Sequence, residues 1–160
     1  MNKTLLTLFL LLPFIAIADE KIGDQIRYVD EQDKAMSEAI QKAKNQLDGF
    51  LEIAENPPIG ASDFKLKVMI SDSNGVEHLW FTPFKEIEGG YAGVLANEPG
   101  VIKSAEYGRP YAFKRDQITD WGYVRDGKQI GSFTICALFK TMNKDLVEQY
   151  KNDHGFTCNS

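Results

Sequence analysis

The chain has 160 residues, 43% of them apolar, with 18 Lys and Arg against 23 Asp and Glu for a formal charge of −5. Such a length and composition suit one domain with a real hydrophobic core. The acidic balance and the absence of a basic stripe argue against a nucleic-acid partner, and they give no help toward anionic lipid.

Residues 1–18 read as a secretory signal peptide. Lys3 is the positive n-region, Leu5 to Ile17 the apolar run, and Ala16-Ile17-Ala18 the small residues a signal peptidase needs. The apolar run is shorter than the ~20 residues a spanning helix requires. Cleavage is therefore expected after Ala18, giving a periplasmic or secreted chain with no membrane insertion afterwards. Residues 19–32 are charged and weakly patterned, an extended lead-in to a single domain over 33–160.

From Asp33 onward Met36, Ala39, Ile40, Ala43, Leu47, Phe50, Leu51 and Ala54 recur at three- and four-residue steps, one face of an amphipathic helix. Asp30 or Asp33 can cap it, and Asn56-Pro57-Pro58 stops it. After Gly60 the period becomes two. Phe64, Leu66, Val68 and Ile70 alternate with Lys65, Lys67 and Met69, as in a half-buried strand. Asn74-Gly75 predicts a two-residue type I′ hairpin turn. The return strand then runs from Val76 to about Thr82 and ends at Pro83.

A short strand follows at Tyr91 to Leu95, and Glu98-Pro99-Gly100-Val101 fits a type II turn. Tyr111 to Lys114 and Ile118 to Val124 are further strands, and Asp126-Gly127 turns the chain into Gln129 to Phe133. Ile135, Leu138, Phe139, Met142 and Leu146 restore the helical period. Ser132 or Thr134 can cap that helix, Asn143 can restart it, and Gly155 suits its end. The expected fold is α+β: about six mostly antiparallel strands with an N-terminal and a C-terminal helix packed on the sheet.

Two cysteines, Cys136 and Cys158, invite a disulfide in an exported protein. The bridge would fasten a tail that otherwise frays, and would constrain the unfolded chain by about 3 kcal/mol in the loop-entropy model. A redox or metal pair is the rival reading, but C-x-x-C spacing and a histidine cluster are both lacking.

Glu77 and His78 adjoin on the return strand, so they point to opposite faces. The two-residue loop pairs Ile70 with Leu79, Val68 with Phe81, and Ser71 with His78, and sets Glu77 opposite Asp72. His78 and Trp80 then share the second face with Ser71 and Met69. A three-residue loop would exchange the faces.

Met36-x-x-Ala39-Ile40-x-x-Ala43, Glu77-His78-Leu79-Trp80, Gly93 with Asn97-Glu98-Pro99, Ile118-x-Asp120-Trp121 and Gly131-x-Phe133-Thr134 together resemble the YegJ-like bacterial family, a domain of unknown function. The resemblance covers about Tyr28 to Met142. It implies a shared domain and no established reaction.

Glu77, His78, Trp80, Asn97, Glu98, Asp120 and Trp121 are the candidate binding residues. As a small hydrolase the chain would use His78 as base with Glu98 or Asp120 as orienter or acid. No G-x-S-x-G elbow supplies a nucleophile. No metal site is expected either, because the other histidine, His154, lies in the tail without ligand spacing. The bland alternatives are turn chemistry for Asn97-Glu98, an aspartate bonded to backbone beside a core tryptophan for Asp120-Trp121, and a satisfied histidine for His78. Lys65, Lys67, Lys114 and Arg115 read as solvated strand edges. The leading expectation is a non-enzymatic exported module, without a cofactor, that binds a protein, peptide or envelope component through the His78 and Trp80 face.

Overall fold

The computed structural model describes residues 34–158. The expected signal peptide, the expected lead-in and the candidate caps Asp30 and Asp33 lie outside these. Among the described residues the chain is a single α+β domain of four helices and a six-stranded antiparallel open sheet.

The first amphipathic stretch forms two helices, α1 (Lys34–Asn45) and α2 (Leu47–Glu55), parted at Gln46. An unbroken helix would offer the Ala43 carbonyl to Leu47. That carbonyl instead accepts the Gln46 N–H at 3.2 Å and the Trp121 indole N–H at 2.9 Å. Asn45 and Gly49 flank the break and are weak helix formers.

The strands are β1 (Ala61–Asp72), β2 (Gly75–Ile87), β3 (Gly90–Leu95), β4 (Pro110–Phe113), β5 (Ile118–Arg125) and β6 (Lys128–Gly131), in the sheet order β4-β3-β2-β1-β5-β6. A 3-10 turn, Arg115–Gln117, leads into β5. On the first face, Leu66, Val68, Leu79, Phe81, Trp121 and Tyr123 meet Ala43, Leu47 and Phe50 of the first two helices. Phe50 is the keystone. It is 1% exposed and stacks on Trp121 at 4.8 Å, and burial of such a ring is worth about 2–3 kcal/mol.

The later helical stretch breaks where Asn143 stands. It gives α3 (Phe133–Phe139) and α4 (Lys144–His154), with the Asn143 side chain accepting from the Asp145 N–H at 2.8 Å and Gly155 closing the end at φ 71. These helices meet Met36 and Ala39 of α1, with Trp80 against the same cluster. The Cys136–Cys158 disulfide is present, with Cα atoms 5.4 Å apart. It holds the tail beside β6, where Gln129 pairs with Phe156 and its N–H donates to the Gly155 carbonyl at 2.9 Å.

Three expectations about strand register and turns need correction. The β1–β2 register is Leu66 with Phe81, Val68 with Leu79, Met69 with His78 and Ile70 with Glu77, so the turn residues are Ser73 and Asn74 rather than Asn74-Gly75. The Asp72 carboxylate takes the Asn74 N–H at 2.7 Å, an Asx turn that moves the loop by one residue. Each pairing shifts by two residues, an even number, so every side chain keeps its face. At Asp126-Gly127, by contrast, both residues have positive φ, 50 and 75, as a type I′ turn demands.

The second correction concerns Pro83, which does not end the strand. β2 passes it in a bulge between Phe81 and Phe84 and continues to Ile87, a position where a missing N–H is tolerated. The third concerns Gly100, which is absent from the positive-φ glycines, so Glu98-Pro99-Gly100-Val101 is not a type II turn.

Candidate functional site

On β2 the period of two sends Glu77 to the first face and His78 with Trp80 to the second. The Glu77 carboxylate accepts the N–H groups of Gly100 (2.9 and 3.0 Å), Val101 (2.9 Å) and Ile102 (3.3 Å). Asp72 holds the next two, Lys103 at 2.6 Å and Ser104 at 2.9 Å. Two hairpin carboxylates thus pin the long β3–β4 connection by its backbone. The Asn74 N–H, followed by that of Lys103, holds the Asp72 carboxyl well below the usual carboxylate range. Asn97 is also structural, its side-chain oxygen accepting the Trp80 N–H at 2.7 Å. Glu98 is exposed on the same connection.

Asp120 and Trp121 leave β5 in opposite directions. Trp121 is 5% exposed in the first-face core. Asp120 is completely buried and closes the N-terminus of α3. It accepts the Thr134 hydroxyl at 2.6 Å, the Thr134 N–H at 2.8 Å, the Phe133 N–H at 3.2 Å and the Trp121 N–H at 2.8 Å. This is the side-chain capping that Ser132 or Thr134 was expected to supply. Ser132 instead stands at φ 52 with a fully buried hydroxyl that has no hydrogen-bond partner.

Lys67 is 8% exposed, not a solvated edge, and its ammonium donates to the Thr134 hydroxyl at 3.1 Å. The Thr134 hydroxyl has one proton and gives it to Asp120, so it can only accept from Lys67. Burial lowers the Lys67 pKa against the opposing Asp120 charge, and burial raises that of Asp120 against its hydrogen bonds and Lys67. Lys65 is half-buried, donates to the Gln129 side chain at 3.3 Å, and is also lowered by burial.

Both ammonium groups lie over the Trp80 indole, Lys65 at 5.3 Å and Lys67 at 5.4 Å from the ring centre. His78 stands one pair along, half-buried, with Nδ1 2.9 Å from the Thr119 hydroxyl. The Thr119 hydroxyl also lies 3.3 Å from the Lys67 carbonyl, so it bridges His78 and the β1 backbone.

The second face is therefore partly covered. The structure brings His78 and Trp80 together with Asp120 through Thr119, Lys67 and Thr134, and it sets Glu77 on the other face. Among the described residues no group of three or more His, Cys, Asp or Glu side chains could hold a metal ion. The sequence reading took Lys67 for a solvated edge and Thr134 for a possible helix cap, and passed over Thr119, which the irregularity between Lys67 and Val68 sets beside His78 where plain alternation would place it with Trp121.

The recurrent glycines serve the same architecture. A Cβ on Gly131, at φ 77, would meet the Trp121 ring at 2.5 Å, and one on Gly93 would meet the Phe81 Cβ at 3.0 Å. The motif residues interlock in pairs, Asp120-Trp121 with Gly131 and Phe133-Thr134, and Trp80 with Asn97.

The chain belongs to the bacterial family described as an uncharacterized protein conserved in bacteria (DUF2314), whose model matches residues 33–158. It is 32% identical over 151 residues to the uncharacterized protein YegJ of Escherichia coli strain K12, covering 94% of this chain and 97% of that one. It is 32% identical over 143 residues to a putative ankyrin repeat protein of Neisseria meningitidis serogroup B, covering 83% of this chain and 54% of that protein. No solved structure matches.

Proposed function

We propose that the protein is a non-enzymatic exported module that binds a protein, peptide or envelope component through the second face of its sheet, with His78 and Trp80 at the centre. One observation carries this reading. Glu77, Asn97, Asp120 and Trp121 spend their polar groups or rings inside the fold, whereas His78 and Trp80, though also held by neighbours, stay partly exposed on one face. A partly exposed indole with a polar neighbour is the composition of a recognition anchor.

Export is supported by the disulfide, a bond that persists in oxidising compartments. Among the described residues no helix is long and apolar enough to cross a membrane.

The test compares in-cell crosslinking of the wild type with the His78→Ala/Trp80→Ala double variant, after circular dichroism shows the fold intact. Loss of crosslinked partners supports the reading. A double variant that keeps its fold and every partner sinks it. After cell fractionation the protein should be recovered from the periplasm with Asp19 at its N-terminus, and recovery of the uncleaved Met1 form from the cytoplasm alone would refute the export half.

A further inference from the structure

The sheet forks at one end. β1 and β2 pair only as far as Leu66 with Phe81. Beyond that level β1 keeps β5 as its neighbour, and β2 keeps β3 as far as the pair Ile87 and Gly90. The Thr82 hydroxyl, donating to the Phe64 carbonyl at 2.8 Å, closes the crotch. On the α2 side of the fork lies an open cleft of about 810 Å³, walled by α2, Phe64, the 82–86 stretch of β2, Tyr91 and Arg115.

The floor of the cleft is aromatic. Phe64 and Phe84 are half-buried and lean on Phe50 with ring centres at 6.1 and 6.0 Å. Its rim is acidic. In the β2–β3 ladder Phe84 pairs with Gly93, Lys85 with Ala92 and Glu86 with Tyr91. Tyr91 belongs to the core that α2 covers, so the period of two sends Phe84 and Glu86 toward α2 and Lys85 away from it. Glu52 and Glu55 face the same space from the exposed side of α2. Glu52, Glu55 and Glu86 make no hydrogen bond or ion pair among the described residues. Arg115, at the far wall, is already bonded to Asp48 and Tyr91. The carbonyl end of α2 adds to the negative potential.

We infer that this cleft is a second binding site, one that takes a small organic cation with an aromatic or alkyl body and a protonated amino group. The rings and the carboxylates lie on one side of the sheet, so a single small molecule can meet both. Its body would cover the exposed parts of Phe64 and Phe84 and remove apolar surface from water. Its amino group would reach three carboxylates that have no cation of their own. The volume falls within the ~300–1,000 Å³ of small-molecule sites. A bare metal ion does not suit the rim, because among the described residues no three carboxylates converge closely enough to hold one. A neutral apolar molecule would fill the floor and leave the rim charge uncompensated.

The test titrates nitrogen-15-labelled protein with naphthylethylamine, reading location from amide shifts and affinity from calorimetry. The shifts should gather at residues 51–55, Phe64 and residues 82–86. The uncharged naphthylethanol should bind about tenfold more weakly, and naphthylacetate should not bind. The variant Glu52→Gln/Glu55→Gln/Glu86→Gln keeps the side-chain shapes and should lose the preference for the amine over the alcohol. The same change on α4, Glu148→Gln/Asp153→Gln, should keep it. The proposal is overturned if the amine fails to bind, if its shifts gather elsewhere, or if the alcohol or the acetate binds as well as the amine. It is equally overturned if the triple variant keeps the preference or the α4 variant loses it. His78→Ala/Trp80→Ala lies on the other face and should leave this binding intact, so the two readings fail separately.

Discussion

Asp120 holds Thr134 twice, through its backbone N–H at 2.8 Å and its hydroxyl at 2.6 Å, and so joins the middle strand of one half of the sheet to the start of α3. That junction is the mechanical centre of the second face. Lys67 reaches it from β1, and Trp80 lies across Lys67. Its integrity decides whether the His78 and Trp80 patch keeps its shape.

Replacing Asp120 should therefore be severe. Asp120→Ala removes a helix cap and strands buried donors, for an expected loss of about 3–5 kcal/mol in urea denaturation. Asp120→Asn keeps one acceptor oxygen and should lose less, about 1–2 kcal/mol. A fully stable Asp120→Ala protein would remove the capping role.

Lys67 and Asp120 should prove energetically coupled through Thr134. In a double-mutant cycle of Lys67→Met and Asp120→Asn, the double variant should be about 0.5–3 kcal/mol more stable than the sum of the singles. Each single change leaves one buried group without its counterpart, and the double change removes both. Strict additivity would mean that the ammonium and the carboxylate do not sense each other.

Acid should release the β3–β4 connection. The folded Asp72 pKa lies below its unfolded value near ~3.9, so its contribution is complete above that value and is lost as pH falls below it. Amide exchange at Lys103 and Ser104, the two N–H groups it holds, should accelerate below about pH 4 relative to the core strands. Asp72→Asn should show the faster exchange already at neutral pH. Exchange that is unchanged in both cases would dismiss the clamp.

Reduction should loosen the tail and little else. Intact mass should rise by two hydrogens on reduction, and Cys136→Ser/Cys158→Ser should be less stable by about 2–4 kcal/mol. Protection should fall first at Gln129, whose N–H bonds the Gly155 carbonyl.

Gly131→Ala should destabilise by about 2–4 kcal/mol, because the residue has φ 77 and a Cβ there would overlap the Trp121 ring. Refolding yield and urea midpoint both report it, and a neutral outcome would mean that Trp121 can move aside.

Much of this architecture was legible in the chain. The periodicity from Met36 to Ala54 marked the first helical layer, and the Asp126-Gly127 pair gave the right turn. The same signal at Asn74-Gly75 misled by one residue because the Asp72 carboxylate, itself held by Lys103 and Ser104, captured the Asn74 N–H. The break at Gln46 was hidden because it accompanies an indole bond from Trp121 to the Ala43 carbonyl, 78 residues apart in the chain. Lys67 read as solvated because alternation puts a lysine on the polar face, and only the docking of Thr134, 67 residues later, buries it.

The sequence by itself determined which residues share a face, since the period of a strand is fixed by its covalent geometry and survives an even shift in register. That alone parted Glu77 from His78. The tertiary structure decided what became of each face. It gave Glu77 a loop to hold, Asp120 a helix to cap and Trp80 two ammonium groups, and it opened a fork beyond Phe81. These outcomes depend on where distant backbone donors come to rest, and no local period encodes that.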